Sequence, residues 1–311
     1  MSEFLYVEKY RPHTVGDCIL PDRLKKSFQK YVETQEVPNL MLTGTAGVGK
    51  TTIAKAMCEE IGLDHIVINS SEERGIDLLR TKIRSYASTM SLVGGRKVII
   101  LDEADYLTPD AQAALRGVME EFSDNCTFIF TCNFKGRLIE ALHSRCTVVD
   151  FILHPDEKRG MIVAFFKRVG DILTQEGVTF RKEVLAKILE KHFPDYRRTL
   201  NEVQRLAADG SIDVDDLANV SDVRKLGELV AALKEKDFKA MRKWVTGSSD
   251  IDPARIYRAI YDALYVYFAP ASIPQAVVII ARYQYQAAFV ADQEINLVAC
   301  LTEIMVDCEV K

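Results

Sequence analysis

The sequence predicts an α/β fold with a parallel sheet, followed by helical domains. Between residues 39 and 133, short apolar runs alternate with longer stretches of helical periodicity, the order found in βαβ units. Runs such as VIIL (98–101) and FIF (128–130) are apolar at consecutive positions, which is typical of strands covered by helices on both faces. A three-layer α/β sandwich follows from these two observations.

The elements of this first domain are predicted in a regular order. Strands are predicted at NLMLTG (39–44), HIVINS (65–70), KVIILDEAD (97–105) and CTFIFTCN (126–133). Helices are predicted between them at KTTIAKAMCEEIG (50–62), IDLLRTKIRSYAS (76–88) and AQAALRGVMEEF (111–122). The alternation ends near Phe151, so the first domain is expected to cover residues 1–151.

Helical periodicity dominates after this boundary. Three predicted helices, within 155–177, 181–193 and 198–210, define a helical domain at residues 152–222. Residues 223–311 are expected to form a second all-α domain. Half of the twelve tyrosines fall between Tyr257 and Tyr285, and such a stripe belongs more often to a core or a subunit interface than to a ligand site. Core and interface both stay open.

Composition excludes several function classes. The net charge of -5, from 45 acidic and 40 basic residues, excludes nucleic-acid binding by overall charge, so any DNA contact requires a local patch. No apolar run approaches the roughly 18 residues of a membrane span, and the first residues lack a signal peptide. A cytoplasmic protein, or a nuclear one at most, is expected, with no membrane partner. The seven cysteines form no C-x-x-C pair, so neither a disulfide framework nor a zinc site is expected.

Residues 44–51, GTAGVGKT, match the phosphate-binding pattern G-x-x-x-x-G-K-[ST] between a strand and a helix. Glycines in such a loop allow successive N–H groups to face phosphate oxygens at a helix N-terminus. Lys50 would add a charge on the β and γ phosphates, and the Thr51 hydroxyl can ligate Mg²⁺. The predicted nucleotide-binding residues are Gly44, Thr45, Ala46, Gly47, Val48, Gly49, Lys50, Thr51 and Thr52.

Two carboxylates follow the third predicted strand. Asp102 and Glu103 stand at its C-terminal end, where open α/β sheets bind their ligands. Asp102 suits the Mg²⁺ shell, and Glu103 is placed to orient or deprotonate an attacking water. The sequence therefore predicts an ATP-hydrolysing site.

These motifs, in this order, resemble those of the AAA+ ATPases, and among them the clamp-loader subunits of the replication factor C type. EKYRP (8–12) is similar to the opening motif of that family, which implies that Tyr10, Arg11 and Pro12 line the adenine pocket. Asn133, at the end of FIFTCN, is similar to sensor 1, and HSRC places Arg145 at the arginine finger, which acts in trans.

FPDYRRTLNEVQ (193–204) resembles the sensor 2 segment, with Arg197 as the phosphate-sensing residue. Cellular relatives usually have Gly-Asp before these arginines, whereas this chain has Pro-Asp. Arg198 is therefore a second candidate for this role. The resemblance also implies coupling residues: Asn69 would restrain the catalytic glutamate until DNA binds. Gln112 and Arg116, four apart on one helix, would link the site to DNA and to the neighbouring subunit.

The helix from Ile76 carries Arg80 and Arg84 on one face, with Lys82 nearby. A solvated charged face is the simpler interpretation of a single amphipathic helix. The resemblance implies instead that these arginines track DNA phosphates inside a spiral of subunits, independently of base sequence.

The compact chain, DCILP (17–21) and FPDYRRT look most like the large ATPase subunit of T-even-type phage clamp loaders. The resemblance implies a nucleotide domain, a helical lid and a collar for assembly. It also implies ATP and Mg²⁺ as cofactors. The implied partners are copies of the chain itself, a smaller non-identical subunit, a sliding clamp and primer–template DNA. A branch-migration helicase motor and a non-hydrolysing scaffold subunit remain the alternatives.

Overall fold

The computed structural model describes residues 4–72, 76–89, 91, 94–213, 222–248 and 253–311. The chain divides into two compact units, Met1–Asp216 and Leu217–Lys311. Residues 214–221, just before the second predicted domain boundary, lie outside the described residues, as do residues 73–75, which follow the second predicted strand. The boundaries at 151 and 222 stay predictions.

A five-stranded parallel sheet forms the centre of the first unit, with strand order β2-β3-β4-β1-β5. The strands are β1 (Leu40–Thr43), β2 (His65–Asn69), β3 (Lys97–Asp102), β4 (Cys126–Cys132) and β5 (Thr147–Asp150). All residues of β1 and β4 are buried, as the consecutive apolar runs predict.

Helices cover both faces of this sheet. They are α2 (Asp22–Thr34), α3 (Lys50–Ile61), α4 (Ile76–Ala87), α5 (Pro109–Glu121) and the single turn α6 (Glu140–His143). A short helix, α1 (Tyr6–Lys9), precedes them in the chain. Successive residues of β1 point to opposite faces: Leu40 belongs to the core formed with α2 and α3, and Met41 to the core formed with α4, α5 and α6. The predicted three-layer sandwich is confirmed.

Three longer helices follow in the same unit: α7 (Pro155–Gln175), α8 (Lys182–His192) and α9 (Tyr196–Leu206). They confirm the predicted helices. The unit also contains a parallel pair of two-residue strands, β6 (Thr179–Phe180) and β7 (Ser211–Ile212), which the sequence pattern does not predict. Two residues are too few to show an alternating pattern, so such a pair leaves no periodic signal.

The second unit is all-α in its described part. Its helices are α10 (Asp222–Lys234), α11 (Phe238–Thr246), α12 (Pro253–Tyr267), α13 (Ile273–Gln286) and α14 (Gln293–Asp307). The tyrosines between Tyr257 and Tyr285 differ in their exposure to solvent. Tyr257 is 1% exposed and its hydroxyl accepts a hydrogen bond from Asn296 Nδ2 at 2.9 Å, whereas Tyr265 and Tyr285 are 79% and 72% exposed. Tyr257 is therefore a core residue, and an interface role for the other two stays a prediction.

All seven cysteines are free, and six of them are buried. Burial raises the pKa of Cys58, in α3, and of Cys300, in α14, to about 12 each. Across the described ranges, no helix combines the length and the apolar character needed to cross a bilayer.

Candidate functional site

A cavity in the first unit collects residues from most of the predicted motifs. It lies at the C-terminal end of the sheet, where β3 and β4 end beside the loop that follows β1. The loop lines it with Ala46, Gly47, Gly49, Lys50, Thr51 and Thr52. The other predicted residues that line it are Tyr10, Arg11, Pro12, Asp102, Glu103, Asn133 and Arg197.

The other three predicted residues of the loop, Gly44, Thr45 and Val48, do not line the cavity. The carbonyl oxygens of Gly44 and Thr45 accept hydrogen bonds from Lys50, and the Val48 side chain is buried in the core with α2 and α3. A nucleotide contact of these three residues would therefore involve their backbone, and it stays a prediction.

Gly47 shows why the loop needs glycine. Its φ is +76°, and a Cβ added there would lie 1.8 Å from Asp195 Oδ1. The Gly47 carbonyl also accepts a hydrogen bond from the Tyr196 backbone N–H at 3.0 Å. Only a residue without a side chain lets the start of α9 approach the loop so closely.

Lys50 is held over the loop by oxygen acceptors. Its side-chain Nζ donates to Gly44 O and Thr45 O, each at 2.8 Å, and to Asn133 Oδ1 at 2.9 Å. The residue is only 8% exposed, and this burial lowers the pKa of its ammonium group. An anionic phosphate is a stronger partner for an ammonium group than a neutral oxygen, so this arrangement suits the exchange of one acceptor for a phosphate.

Thr51 and Asp102 form the predicted metal-binding pair. Thr51 Oγ1 donates to Asp102 Oδ1 at 2.6 Å, and Thr131 Oγ1 donates to the same oxygen at 2.5 Å. A hydroxyl and a carboxylate are hard oxygen ligands, and Mg²⁺ in phosphate sites takes few such ligands from the protein. The donor set therefore fits Mg²⁺.

Glu103 occupies an unusual backbone conformation. Its φ of 55° and ψ of 43° are left-handed, a region that residues with a side chain adopt at an energetic cost. Its N–H donates to Thr131 Oγ1 at 3.1 Å, so the same threonine contacts both carboxylate residues. Strained backbone is concentrated at active sites, but Gln35 and Lys236 adopt a similar φ just after helices, so the conformation alone assigns no role.

The predicted coupling residues lie outside the cavity lining. Asn69 Nδ2 donates to Glu72 Oε1 at 3.0 Å, and Asn69 Oδ1 accepts from Ser71 N at 3.1 Å. Its side chain is thus engaged locally, within the turn after β2. Restraint of Glu103 by Asn69 stays a prediction.

Gln112 is 2% exposed and connects α5 to the segment after β4. Its amide donates to Leu107 O at 3.0 Å and to Arg137 O at 3.1 Å, and its oxygen accepts from Ile139 N at 2.8 Å. Arg116, one turn further along, is more than half exposed and lies 3.7 Å from Glu120. The two residues therefore share a helix, but one is a buried connector and the other a surface residue.

Arg145 is not part of the lining of its own cavity. Its Nε and Nη2 donate to Glu120 Oε1 at 3.1 and 2.5 Å, and its Nη1 donates to Ala141 O at 2.9 Å. These bonds hold the pKa of the Glu120 carboxyl below its usual range. The Arg145 side chain is 30% exposed, a position compatible with contact with a neighbouring subunit.

The two rival arginines of α9 differ in position. Arg197 lines the cavity, and Arg198 is not among its lining residues. The Arg198 backbone N–H donates instead to Asp195 Oδ1 at 2.9 Å, which caps the helix. Position therefore favours Arg197 as the phosphate-sensing residue.

Of the two predicted DNA contacts, Arg80 is exposed, whereas Arg84 is half-buried and already paired. Arg84 Nη2 donates to Glu121 Oε2 at 2.6 Å, which connects α4 to α5, while Arg80 is exposed. A phosphate would have to replace this carboxylate as the partner of Arg84.

Several cavity residues lie outside the predicted motifs. Phe165, Arg168 and Ile172 all line the cavity from α7. Their spacing of three and four residues places them on one helix face, and this was the available signal. Leu200 of α9 completes an apolar wall.

Comparisons with known proteins agree with this architecture. Residues 40–152 match the family described as ATPase family associated with various cellular activities (AAA). Residues 157–218 match the AAA+ ATPase lid domain of the sliding-clamp-loader large subunit.

Relatives resemble the chain over more than three quarters of its length. It is 31% identical over 301 residues to the sliding-clamp-loader large subunit of Enterobacteria phage T4, covering 95% of this chain and 94% of that protein. It is 36% identical over 249 residues to the replication factor C small subunit of Archaeoglobus fulgidus, covering 77% and 76%. A RuvB variant of Thermotoga maritima superposes with a TM-score of 0.58 at 17% identity, over 95% of this chain and 90% of that one, and this likeness shows the fold alone.

Proposed function

This chain belongs to the clamp-loader family of AAA+ ATPases, and from that premise we propose that it is an ATP-hydrolysing subunit of a sliding-clamp loader. The observation that carries the proposal is the convergence of Lys50, Thr51, Asp102, Glu103 and Asn133 on one cavity. A non-hydrolysing scaffold subunit would not need this set. The lid match at 157–218 favours clamp loading over branch migration.

ATP would bind with its base beside Tyr10, Arg11 and Pro12 and its phosphates on the loop at 44–51. Lys50 would exchange one of its oxygen acceptors for a phosphate oxygen, and Arg197 would contact the γ-phosphate from α9. Thr51 and Asp102 would hold Mg²⁺, which neutralises charge that develops on the phosphates.

Hydrolysis requires an activated water and charge stabilisation. Glu103 would accept the proton of the attacking water, and Asn133 would hold Lys50 in position through the 2.9 Å hydrogen bond. Arg145 of a neighbouring copy would stabilise the negative charge of the transition state. Arg145 does not line the cavity of its own chain, so with Arg145 as the finger a complete site would need two subunits.

The proposed cycle couples nucleotide state to assembly. ATP, contacted by Arg197 in cis and Arg145 in trans, would fix several copies and a smaller non-identical subunit in a spiral that holds the clamp open. Primer–template DNA would contact Arg80 and Arg84, with Asn69, Gln112 and Arg116 coupling that contact to Glu103. Hydrolysis would then release the closed clamp on DNA.

The direct test measures ATP hydrolysis by the purified chain alone, then after stepwise addition of the smaller subunit, the clamp and primed DNA. We expect each addition to raise the rate. Processive unwinding of duplex DNA, with no response to a clamp, would contradict the proposal.

Lys50→Ala should lower ATP turnover by about 10²–10³-fold, the usual loss when one preorganised donor to a developing negative charge is removed. Steady-state phosphate release from the assembled complex measures this loss. Lys30→Ala, which removes an exposed lysine of α2, is the matched control and should hydrolyse at the wild-type rate. Turnover within a few-fold of wild type for Lys50→Ala would contradict the proposed phosphate contact.

A further inference from the structure

The segment at the start of the chain, residues 4–12, is attached to the helices of the lid match. Gln204 of α9 contacts its backbone twice: Gln204 Oε1 accepts from Tyr6 N at 2.9 Å, and Gln204 Nε2 donates to Phe4 O at 2.8 Å. One side-chain amide thus satisfies both a donor and an acceptor of the segment. The Tyr6 side chain is buried, which adds an apolar contact to these two bonds.

A second attachment lies directly at the cavity. Glu176, which follows α7, accepts from Lys9 Nζ at 2.7 Å and from the Tyr10 hydroxyl at 2.5 Å. These two donors hold the pKa of the Glu176 carboxyl below its usual range. Arg168 of α7 also donates to the Tyr10 carbonyl, at 3.4 Å. The attachment therefore fixes a residue that lines the cavity.

The chain changes partners immediately after this segment. His13 contacts Glu59 at 2.7 Å, and Val15 N donates to Glu60 Oε2 at 2.6 Å, so both residues attach to the end of α3. His13 and Val15 thus contact α3, whereas residues 4–10 contact α9, Arg168 and Glu176; Ile19 and Arg23 contact α9 and α7 again further along the chain. Tyr10 and Arg11 precede the contacts with α3, and Tyr10 contacts Glu176 and Arg168.

We propose that Gln204 and Glu176 are positioning residues for the base side of the nucleotide site. They attach residues 4–12 to α7 and α9. The wall that contacts the base is therefore part of the lid. One bound ATP molecule would then connect the lid, which its base contacts, to the phosphate-binding loop, which its phosphates contact. This inference rests on the proposed function, since it assumes that ATP occupies the cavity.

The physical reason is preorganisation. Without its attachments the segment would have to be ordered when ATP binds, and that entropy cost would be subtracted from the binding free energy. The phosphate contacts of Lys50 and the loop would not change, because neither Gln204 nor Glu176 contributes to them. Loss of the attachments should therefore weaken recognition of the base and spare recognition of the phosphates.

The test compares two probes, Mg²⁺-ATP and Mg²⁺-tripolyphosphate, by calorimetric titration of the full-length chain. For the double variant Gln204→Leu with Glu176→Gln, we expect ATP to bind about tenfold more weakly, the scale of one or two lost hydrogen bonds. Tripolyphosphate should bind as it does to the wild type. Amide hydrogen exchange over residues 5–11 should become faster in the same variant.

Gln175→Leu, which removes an exposed glutamine next to Glu176, is the matched control and should bind both probes normally. Equal losses for ATP and tripolyphosphate would indicate general damage and overturn the inference, as would unchanged ATP affinity. A wild-type chain that binds no ATP would overturn the proposed function instead. The exchange rates would then still decide whether the two residues hold the segment.

Discussion

Replacing Arg145 with alanine is expected to lower DNA-stimulated ATP hydrolysis in the assembled complex by about 10³-fold or more, the range known for arginine fingers. The structure supplies the reason for expecting this loss only in the assembly. Arg145 does not line its own cavity, and its guanidinium is partly exposed beside Glu120. An isolated Arg145→Ala subunit should therefore bind ATP with wild-type affinity, as measured by calorimetric titration.

Two further variants isolate the cause. Arg159→Ala removes an exposed arginine of α7 and should leave stimulated hydrolysis unchanged. Glu120→Gln keeps Arg145 but weakens its ion pair, and exposed pairs of this kind contribute little. We expect its effect to be far smaller than that of Arg145→Ala. If stimulation survives in Arg145→Ala, the finger is another residue.

Glu103→Gln is the second substitution with a large expected effect. It should reduce ATP turnover by about 10²–10⁴-fold, the usual contribution of a general base, because an amide cannot accept the proton of the attacking water. ATP binding and clamp opening should persist, since Lys50, Thr51 and Asp102 are unchanged. Single-turnover hydrolysis and a separate clamp-opening assay measure the two properties independently.

The matched control for this substitution is Glu33→Gln, which neutralises an exposed carboxylate of α2 and should turn over ATP normally. The left-handed backbone at Glu103 adds a second comparison. Glu103→Asn shortens the side chain but tolerates that conformation, so the fold should be retained while hydrolysis is lost. Wild-type turnover in Glu103→Gln would remove the assigned role of this residue.

Much of the site follows from the order of residues along the chain. The loop at 44–51 lies between β1 and α3, Asp102 ends β3, and Asn133 directly follows β4, so the parallel sheet alone brings these residues together. The spacing of these residues along the sequence is enough to predict that they meet, because each lies within one or two positions of a strand end or a helix start.

Contacts between distant segments could not be predicted in this way. The bond between Tyr6 and Gln204 joins residues 198 positions apart, and it depends on where α9 packs, which no local pattern specifies. The approach of Asp195 to Gly47 and the pairing of Arg84 with Glu121 have the same origin. The left-handed backbone at Glu103 also leaves no signal, because a glutamate is not the residue expected in that conformation.

Each of the two units contains a buried cysteine whose reaction rate with an alkylating reagent reports on local opening. Only the thiolate reacts rapidly with alkylating reagents, and burial both shields these sulfurs and disfavours their ionised form. Cys58 in α3 and Cys300 in α14 can therefore be alkylated at an appreciable rate only when their own surroundings open. Mass spectrometry of the labelled peptides would thus report the opening free energies of the two units separately in the intact, unmodified chain.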